Sequence, residues 1–343
     1  MSIRAAVFDE SGRIHVVERA LPEPKPGWAR IAISAVGICG SDLNLLYAAG
    51  GSARGVQPGH EVAGVIDLMG EALGNAPLLS SGTPVALEPV VGCGHCRQCL
   101  TGRRNLCSQV RLCGFTRPGG MADYLVVPAD TLYPVAAHLP PHLTALCEPM
   151  AVCVRGTRLG RIDLHERVAI LGAGSIGLMS ILTARAAGAG EVFITARHPH
   201  QQDLARTLGA DAVFPDTAAL LDAVGPQHVD VVVETVGGRA DTIRESAQIA
   251  RSGGRIVMLG VFDRDPALPG MAFFQKELSL FASNCYGREC HHPDFALATG
   301  LVAQHAGLLG HLVTHRFALD QVADAFAAAA DKSTLSIKVQ VHP

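Results

Sequence analysis

Val168-Ala169-Ile170-Leu171-Gly172-Ala173-Gly174-Ser175-Ile176-Gly177 decides how the second half of this chain folds. The apolar start reads as a buried strand, the glycines as a tight turn, and Ser175–Ala187 as the helix that follows. Gly172 permits the turn, Gly174 lets the backbone approach a pyrophosphate, and Gly177 lets helix pack on strand. The helix start at Ser175 and Ile176 offers free N–H donors and a positive dipole end to phosphate. A bare G-x-G-x-x-G is a common turn. Here strand, helix and the surrounding rhythm supply the context for a dinucleotide site.

Outward from this turn the rhythm continues. Val192–Thr195, Val229–Glu234 and Gly254–Leu259 read as strands, and Gln201–Leu208 and Asp241–Ala250 as helices. That alternation predicts a doubly wound parallel sheet. Residues 1 to about 150 carry short β signals instead: Ala5–Phe8, Ile14–Val17, Arg30–Val36, Glu61–Leu68, Pro84–Glu88 and Met121–Val127. Polar turns between them predict a partly closed antiparallel barrel. After about Cys285 the pattern is helical (Pro293–His305, Leu319–Ala330), and a strand, Ser336–Val341, is expected to return to the first domain. A length of 343 residues suits two domains, each with a core.

Composition excludes several classes of function. The chain is 48% apolar but 5% aromatic, with 37 Gly, which suits tight α/β packing more than an aromatic binding surface. A formal charge of −3 gives no bulk attraction to nucleic acid or anionic lipid. No apolar run reaches the roughly 18 residues of a membrane span. Ten cysteines behind an N-terminus without secretory features predict a reducing, cytoplasmic setting.

Four of those thiols, Cys93, Cys96, Cys99 and Cys107, lie in G-C-G-H-C-R-Q-C-L-T-G-R-R-N-L-C. This spacing lets four sulfurs converge on one tetrahedral zinc with no position left for substrate, a structural site. Gly92, Gly94 and Gly102 ease the wrapping loop. A bacterial iron–sulfur run would have three residues before its last Cys and a Pro after it; this run has neither. Free thiols or disulfides are the bland alternative. A zinc-ribbon nucleic-acid binder is a rival, since Arg97, Arg103, Arg104, Arg111 and Arg117 surround the thiols. Net negative charge and the lack of interleaved aromatics speak against it.

The next strand ends Phe193-Ile194-Thr195-Ala196-Arg197-His198. An NAD site places an acidic residue there to hold the ribose 2′-OH. Ala196 removes that carboxylate and Arg197 offers a fork for a 2′-phosphate, so NADP is expected over NAD. An ordinary solvated arginine, or one stacked on adenine, is the alternative. Val236, Leu259 and Gly260, at the ends of later strands, fall on the nicotinamide side by the switch-point rule, or are ordinary core.

Three further fragments carry ligand chemistry: Gly37-Ile38-Cys39-Gly40-Ser41-Asp42, Gly59-His60-Glu61 and Cys147-Glu148-Pro149. Singly each has a bland reading. Together with the thiol run and the glycine turn, the chain resembles the zinc-dependent medium-chain alcohol dehydrogenases, in their polyol and threonine dehydrogenase branch. The resemblance covers essentially the whole chain. It implies a GroES-like β-barrel catalytic domain over 1–151 and 286–343, with a zinc lobe at 92–108 and a Rossmann domain at 152–285. It also implies two zinc ions per chain. Cys39 and His60 become catalytic-zinc ligands, Glu61 a ligand or close neighbour, and Glu148 stands at the third-ligand position, alternating with Glu61. Ser41 matches the hydroxyl that takes the alcohol proton, and Asp42 a structural hydrogen-bonding residue. Asn44 stands where relatives often carry a proton-relaying His.

The implied reaction passes a hydride between a secondary alcohol or polyol and a nicotinamide, or reduces a ketone in reverse. A bound metal lowers a water pKa from roughly 15.7 to about 7, and an alcohol's by analogy. That is on the order of 12 kcal/mol, against roughly 3–5 for general-base help. An NAD-using dehydrogenase of a threonine-like amino alcohol, or a non-catalytic NADP-binding protein, are the alternatives. Ser41, Tyr47, Phe115, Glu148 and Asn284–Tyr286 are the expected pocket. A homotetramer is expected, with a dimer as the smaller alternative, built through a Rossmann edge strand near Leu278–Ser283.

Overall fold

The computed structural model describes residues 1–47, 55–71, 79–289 and 291–343, with side chains at 45–47 left out. Tyr47 as a pocket side chain therefore lies outside the described residues. Contacts divide the chain into two compact units, Met1–Glu148 with Gly287–Pro343, and Pro149–Tyr286.

The first unit is built on a seven-stranded sheet. Its order runs Val313–Ala318, Lys338–His342, Trp28–Gly37, Glu61–Met69, Pro84–Leu87 and Leu132–Pro134, with Tyr124–Pro128 also paired to Trp28–Gly37. Most pairs are antiparallel, as the short strands and tight turns require. Val313–Ala318 with Lys338–His342 is the parallel exception, because the helix Val322–Ala330 makes a crossover between them. The strand Lys338–His342 then lies antiparallel to Trp28–Gly37, with Val341 opposite Val36. Ile31, Val36, Val62, Ile66, Leu125 and Val341 fill the core beneath. A two-stranded ladder, Val90–Val91 against Arg111–Leu112, pins both ends of the lobe that carries the cysteine run.

The second unit has the sheet that the glycine turn predicts. Six parallel strands run in the order Ala212–Phe214, Glu191–Thr195, Arg167–Leu171, Val229–Glu234, Ala250–Met258, Ser279–Ala282. Counted along the chain this is the 3-2-1-4-5-6 order of dinucleotide-binding folds. Near-continuous apolar runs such as Val168–Leu171 are buried because helices cover both faces of a parallel sheet. The helix Ser175–Ala187 stops at Gly188, left-handed at φ 101°, whose N–H returns to Ala184 and Arg185.

Candidate active site

Cys39 ends the loop after Trp28–Gly37, and the helix Gly40–Tyr47 follows it. Asp42, fully buried, accepts the Cys39 backbone N–H at 2.9 Å through Oδ2. Its Oδ1 lies 3.4 Å from His60 Nδ1, too far for a strong hydrogen bond but close enough to orient the ring. Burial alone would push the His60 imidazole down; the neighbouring Asp42 and Cys39 side chains outweigh it and hold its pKa well above the ordinary value. Asp42 thus acts on two neighbours from behind the site. Phe115 covers the ring, centroids 5.4 Å apart.

His60 and Glu61 are placed by two glycines. Gly59, at φ 97°, turns the chain where a Cβ would meet Val36 at 2.6 Å. Gly37 pairs with Glu61 across the sheet, and a Cβ there would stand 1.8 Å from Glu61 Oε2. The missing side chain is the space in which the carboxylate lies. Cys39, His60 and Glu61 each bring a ligand atom within 4.8 Å of the others. A thiolate, an imidazole and a carboxylate form a donor set suited to zinc, and a carboxylate behind the imidazole is the usual support for a metal-binding histidine.

Glu148, in the first turn of Cys147–Leu159, is 7% exposed and lies outside that close group. Ser41 is half-buried at the helix start and Asn44 is exposed. Glu61 has a partner that sequence reasoning does not supply. Lys338 Nζ meets its two oxygens at 2.6 and 2.8 Å, and Ile38 O at 3.3 Å. Burial opposes the Lys338 charge, but Glu61, helped by Cys39 and Glu148, more than offsets it and raises the pKa. Nothing in the sequence signals it, because Lys338 falls on the polar side of the alternation Lys338-Val339-Gln340-Val341-His342.

In the lobe, all four thiols also converge within 4.8 Å. Cys93 and Cys99 sulfurs are 3.9 Å apart, and those of Cys96 and Cys107 3.7 Å. A tetrahedron with zinc–sulfur bonds of about 2.3 Å has edges of about 3.8 Å, so the spacing fits zinc. Backbone N–H groups of His95 and Cys96 hold the Cys93 thiol down at about 6, whereas burial lifts Cys99 to about 11. The lobe is tied to its own unit: Arg288 donates its backbone N–H to Gly102 O at 2.7 Å and Nε to Glu88 at 2.9 Å.

In the second unit, Gly172 sits at φ 98° and its N–H meets Thr195 Oγ1 at 2.9 Å. A Cβ on Gly177 would strike Gly172 O at 1.9 Å, whereas one on Gly174 meets nothing. The open space is on the side a pyrophosphate would use, at the helix start of Ser175 and Ile176. Ala196 is buried, its carbonyl held by Gln202 Nε2 at 3.0 Å, while Arg197 and His198 are exposed. Leu259, Gly260, Ser283 and Asn284 line one cavity of about 460 Å³. Val236, 45% exposed, is free to contact a ligand. Tyr286 is buried at 2%, which does not suit it as a pocket wall in this unit.

Comparison with known proteins places these sites in context. Residues 25–137 match the alcohol dehydrogenase GroES-like domain, and residues 175–303 the zinc-binding dehydrogenase domain. The chain is 34% identical to an L-threonine 3-dehydrogenase of Saccharopolyspora erythraea, covering 90% of this chain and 91% of that one. It is 30% identical to a 2-dehydro-3-deoxy-L-galactonate 5-dehydrogenase of Pseudoalteromonas atlantica, over 94% of both. A crystal structure of a zinc-binding dehydrogenase from Sinorhizobium meliloti, bound to NADP, superposes with a TM-score of 0.89 at 32% identity, covering all of both chains.

Proposed function

The chain belongs to the zinc-dependent medium-chain alcohol dehydrogenase family, and from that premise we propose that it oxidises a secondary alcohol or polyol with NADP⁺, or reduces the ketone in reverse. The observation that carries this reading is the convergence of Cys39, His60 and Glu61 with Asp42 behind the imidazole. In this reading Cys39, His60 and Glu61 hold a catalytic zinc, with Glu148 in reserve, and the four lobe thiols hold a second, structural one. Zinc at the first site would supply a Lewis acid that lowers the pKa of the substrate hydroxyl.

The protein's own groups do the rest. Asp42 Oδ1, 3.4 Å from His60 Nδ1, orients the ring, and Nε2 would be the nitrogen left to hold the metal. Phe115 packs over that ring and keeps water from one side of it. Ser41 Oγ accepts the alcohol proton as its own hydroxyl proton passes to water. Asn44 cannot carry it further, and its exposure supports release to water. Glycines 172, 174 and 177, with Ser175 and Ile176, seat the pyrophosphate. Arg197 and His198 meet the adenosine end, and Val236, Leu259 and Gly260 the nicotinamide. The absence of an acidic residue at Ala196 supports NADP over NAD.

The decisive test is zinc analysis of purified protein with a screen of polyols, secondary alcohols and amino alcohols against both nicotinamides. Two zinc ions per chain and NADP-linked turnover are expected. One zinc, or turnover confined to L-threonine with NAD⁺, would overturn the respective half.

We also propose a cytoplasmic homotetramer built from dimers of the second unit. Ser279–Ala282 is an edge strand of its sheet, and Leu280 on it is 38% exposed, as Met271 and Phe274 of the helix Gly270–Lys276 are at 67% and 81%. An unpaired edge beside exposed apolar side chains supports pairing with a second copy. Among the described residues no helix is long and apolar enough to cross a membrane.

A further inference from the structure

Glu234 ends the central strand Val229–Glu234, and its side chain is fully buried. Its Oε1 accepts three hydrogen bonds, each 2.8 Å, from the backbone N–H groups of Val236 and Gly237 and from Thr242 Oγ1. Its backbone carbonyl accepts Leu259 N–H at 2.9 Å and Gly260 N–H at 3.1 Å. One residue therefore ties together the two loops assigned above to the nicotinamide. Gly238 N–H to Val261 O at 2.7 Å closes the same junction.

Oε2 is different. It is buried, and among the described residues no hydrogen-bond donor reaches it. It points at Gly260, where a Cβ would stand 2.5 Å from it. A carboxylate oxygen only accepts, and all three donors sit on Oε1, so the side of the group that faces the loop carries no donor. Shaping two loops does not require a charge. An amide oxygen would accept the same three bonds. What a neutral group could not supply is a fixed negative charge beneath the loop in a poorly solvated place, where charge acts over longer distances than in water.

The two forms of the cofactor differ by one charge at the ring: oxidised nicotinamide is a cation, reduced nicotinamide is neutral. We propose that Glu234 is a positioning residue that also biases cofactor binding, favouring the oxidised over the reduced nicotinamide through the charge held behind Gly260. This rests on the reading that Val236, Leu259 and Gly260 face the nicotinamide.

The test is Glu234→Gln, with dissociation constants for NADPH by fluorescence, and for NADP⁺ and 2′-phospho-ADP-ribose by competition. Affinity for NADP⁺ should fall about tenfold, or about 1.4 kcal/mol, while NADPH and the ring-less fragment change less than about twofold. Thr242→Val removes one bond and keeps the charge, so it should leave the NADP⁺ to NADPH ratio unchanged. A parallel loss for all three ligands in Glu234→Gln would reduce Glu234 to a loop strut and overturn the proposal. So would an unchanged ratio with all three still bound. If the unmodified protein binds none of the three, the nucleotide reading itself fails and takes this inference with it. Should Glu234→Gln lose its fold, the unmodified protein still decides. It should bind NADP⁺ about tenfold more tightly than a dinucleotide whose ring is an uncharged benzamide, and equal affinities would refute the charge effect.

Discussion

Replacing Lys338 by Met tests how the first metal group is balanced. Lys338 and Glu61 are 2% and 1% exposed, and Nζ stands 2.6 Å from the carboxylate. Removing one member of a buried pair leaves the other charged and uncompensated, at a cost of about 3–5 kcal/mol. In a unit of some 200 residues, each kcal/mol moves the melting temperature by about 2–4 °C. Metal-free Lys338→Met should therefore melt roughly 6–20 °C below the unmodified protein. Zinc at Cys39, His60 and Glu61 brings a positive charge to the stranded carboxylate, so it should stabilise the variant more than it stabilises the unmodified protein. The assay is a pair of melts, chelator-stripped and zinc-titrated, followed by circular dichroism. Zinc in the cysteine lobe contributes equally to both proteins and cancels in the difference. A stripped variant melting within about 2 °C of the unmodified protein, or equal zinc gains in both, would refute the reasoning.

Other expectations concern separate parts of the molecule. Cys96→Ser should remove one zinc and destabilise the lobe, whereas His60→Ala should abolish turnover with the melt nearly unchanged; metal analysis beside activity separates the two. Ala196→Asp with Arg197→Leu should move the kcat/KM ratio from NADP⁺ toward NAD⁺ by a few kcal/mol, since an attraction is lost and a repulsion gained. A preference for NAD⁺ in the unmodified enzyme would sink that idea. Asp123 accepts Arg4 N–H at 2.6 Å and pairs with its guanidinium at 2.7 Å. Burial works against its charge, but Arg4 prevails and the folded pKa is lowered. The pair then contributes above the unfolded value near about 3.9 and is lost as pH falls through the lower folded value. Asp123→Asn should accordingly cost about 0.5–1 kcal/mol at pH 7 and almost nothing near pH 2 in denaturant melts, a modest figure because Arg4 is 41% exposed.

What could be read in advance was what neighbouring residues encode. The helix Ser175–Ala187 and the strand Val229–Glu234 coincide with their patterns, because each is a local apolar run bounded by glycine or polar residues. The helix Thr217–Val224 has no clear pattern in the sequence, although it carries a capping signal: Asp216 Oδ1 accepts Ala219 N–H at 2.9 Å. Its eight residues are too few for a clear period. Pairing across the sheet is not a local property. The parallel neighbour of Lys338–His342 depends on a crossover that alternation along one strand cannot reveal. Cys39, His60 and Glu61 could be named as ligand types, but the vacant side of Gly37 that accepts the Glu61 carboxylate appears only once the register is known. The buried charge of Lys338 was hidden for the same reason.

Lys338 and Glu61 are separated by 277 positions, and their strands flank Trp28–Gly37 on opposite sides. Cys39, His60 and Glu61 leave the ribosome long before the strand that neutralises one of them exists. During synthesis of the intervening residues, the first unit lacks a middle strand of its sheet and holds an unbalanced carboxylate, so it cannot close. The second unit, contiguous from Pro149 to Tyr286, has no such debt and can fold as it emerges. A nascent chain should therefore acquire its nucleotide fold before its ligand cluster, and a ribosome stalled before residue 338 would carry a finished sheet beside an open one.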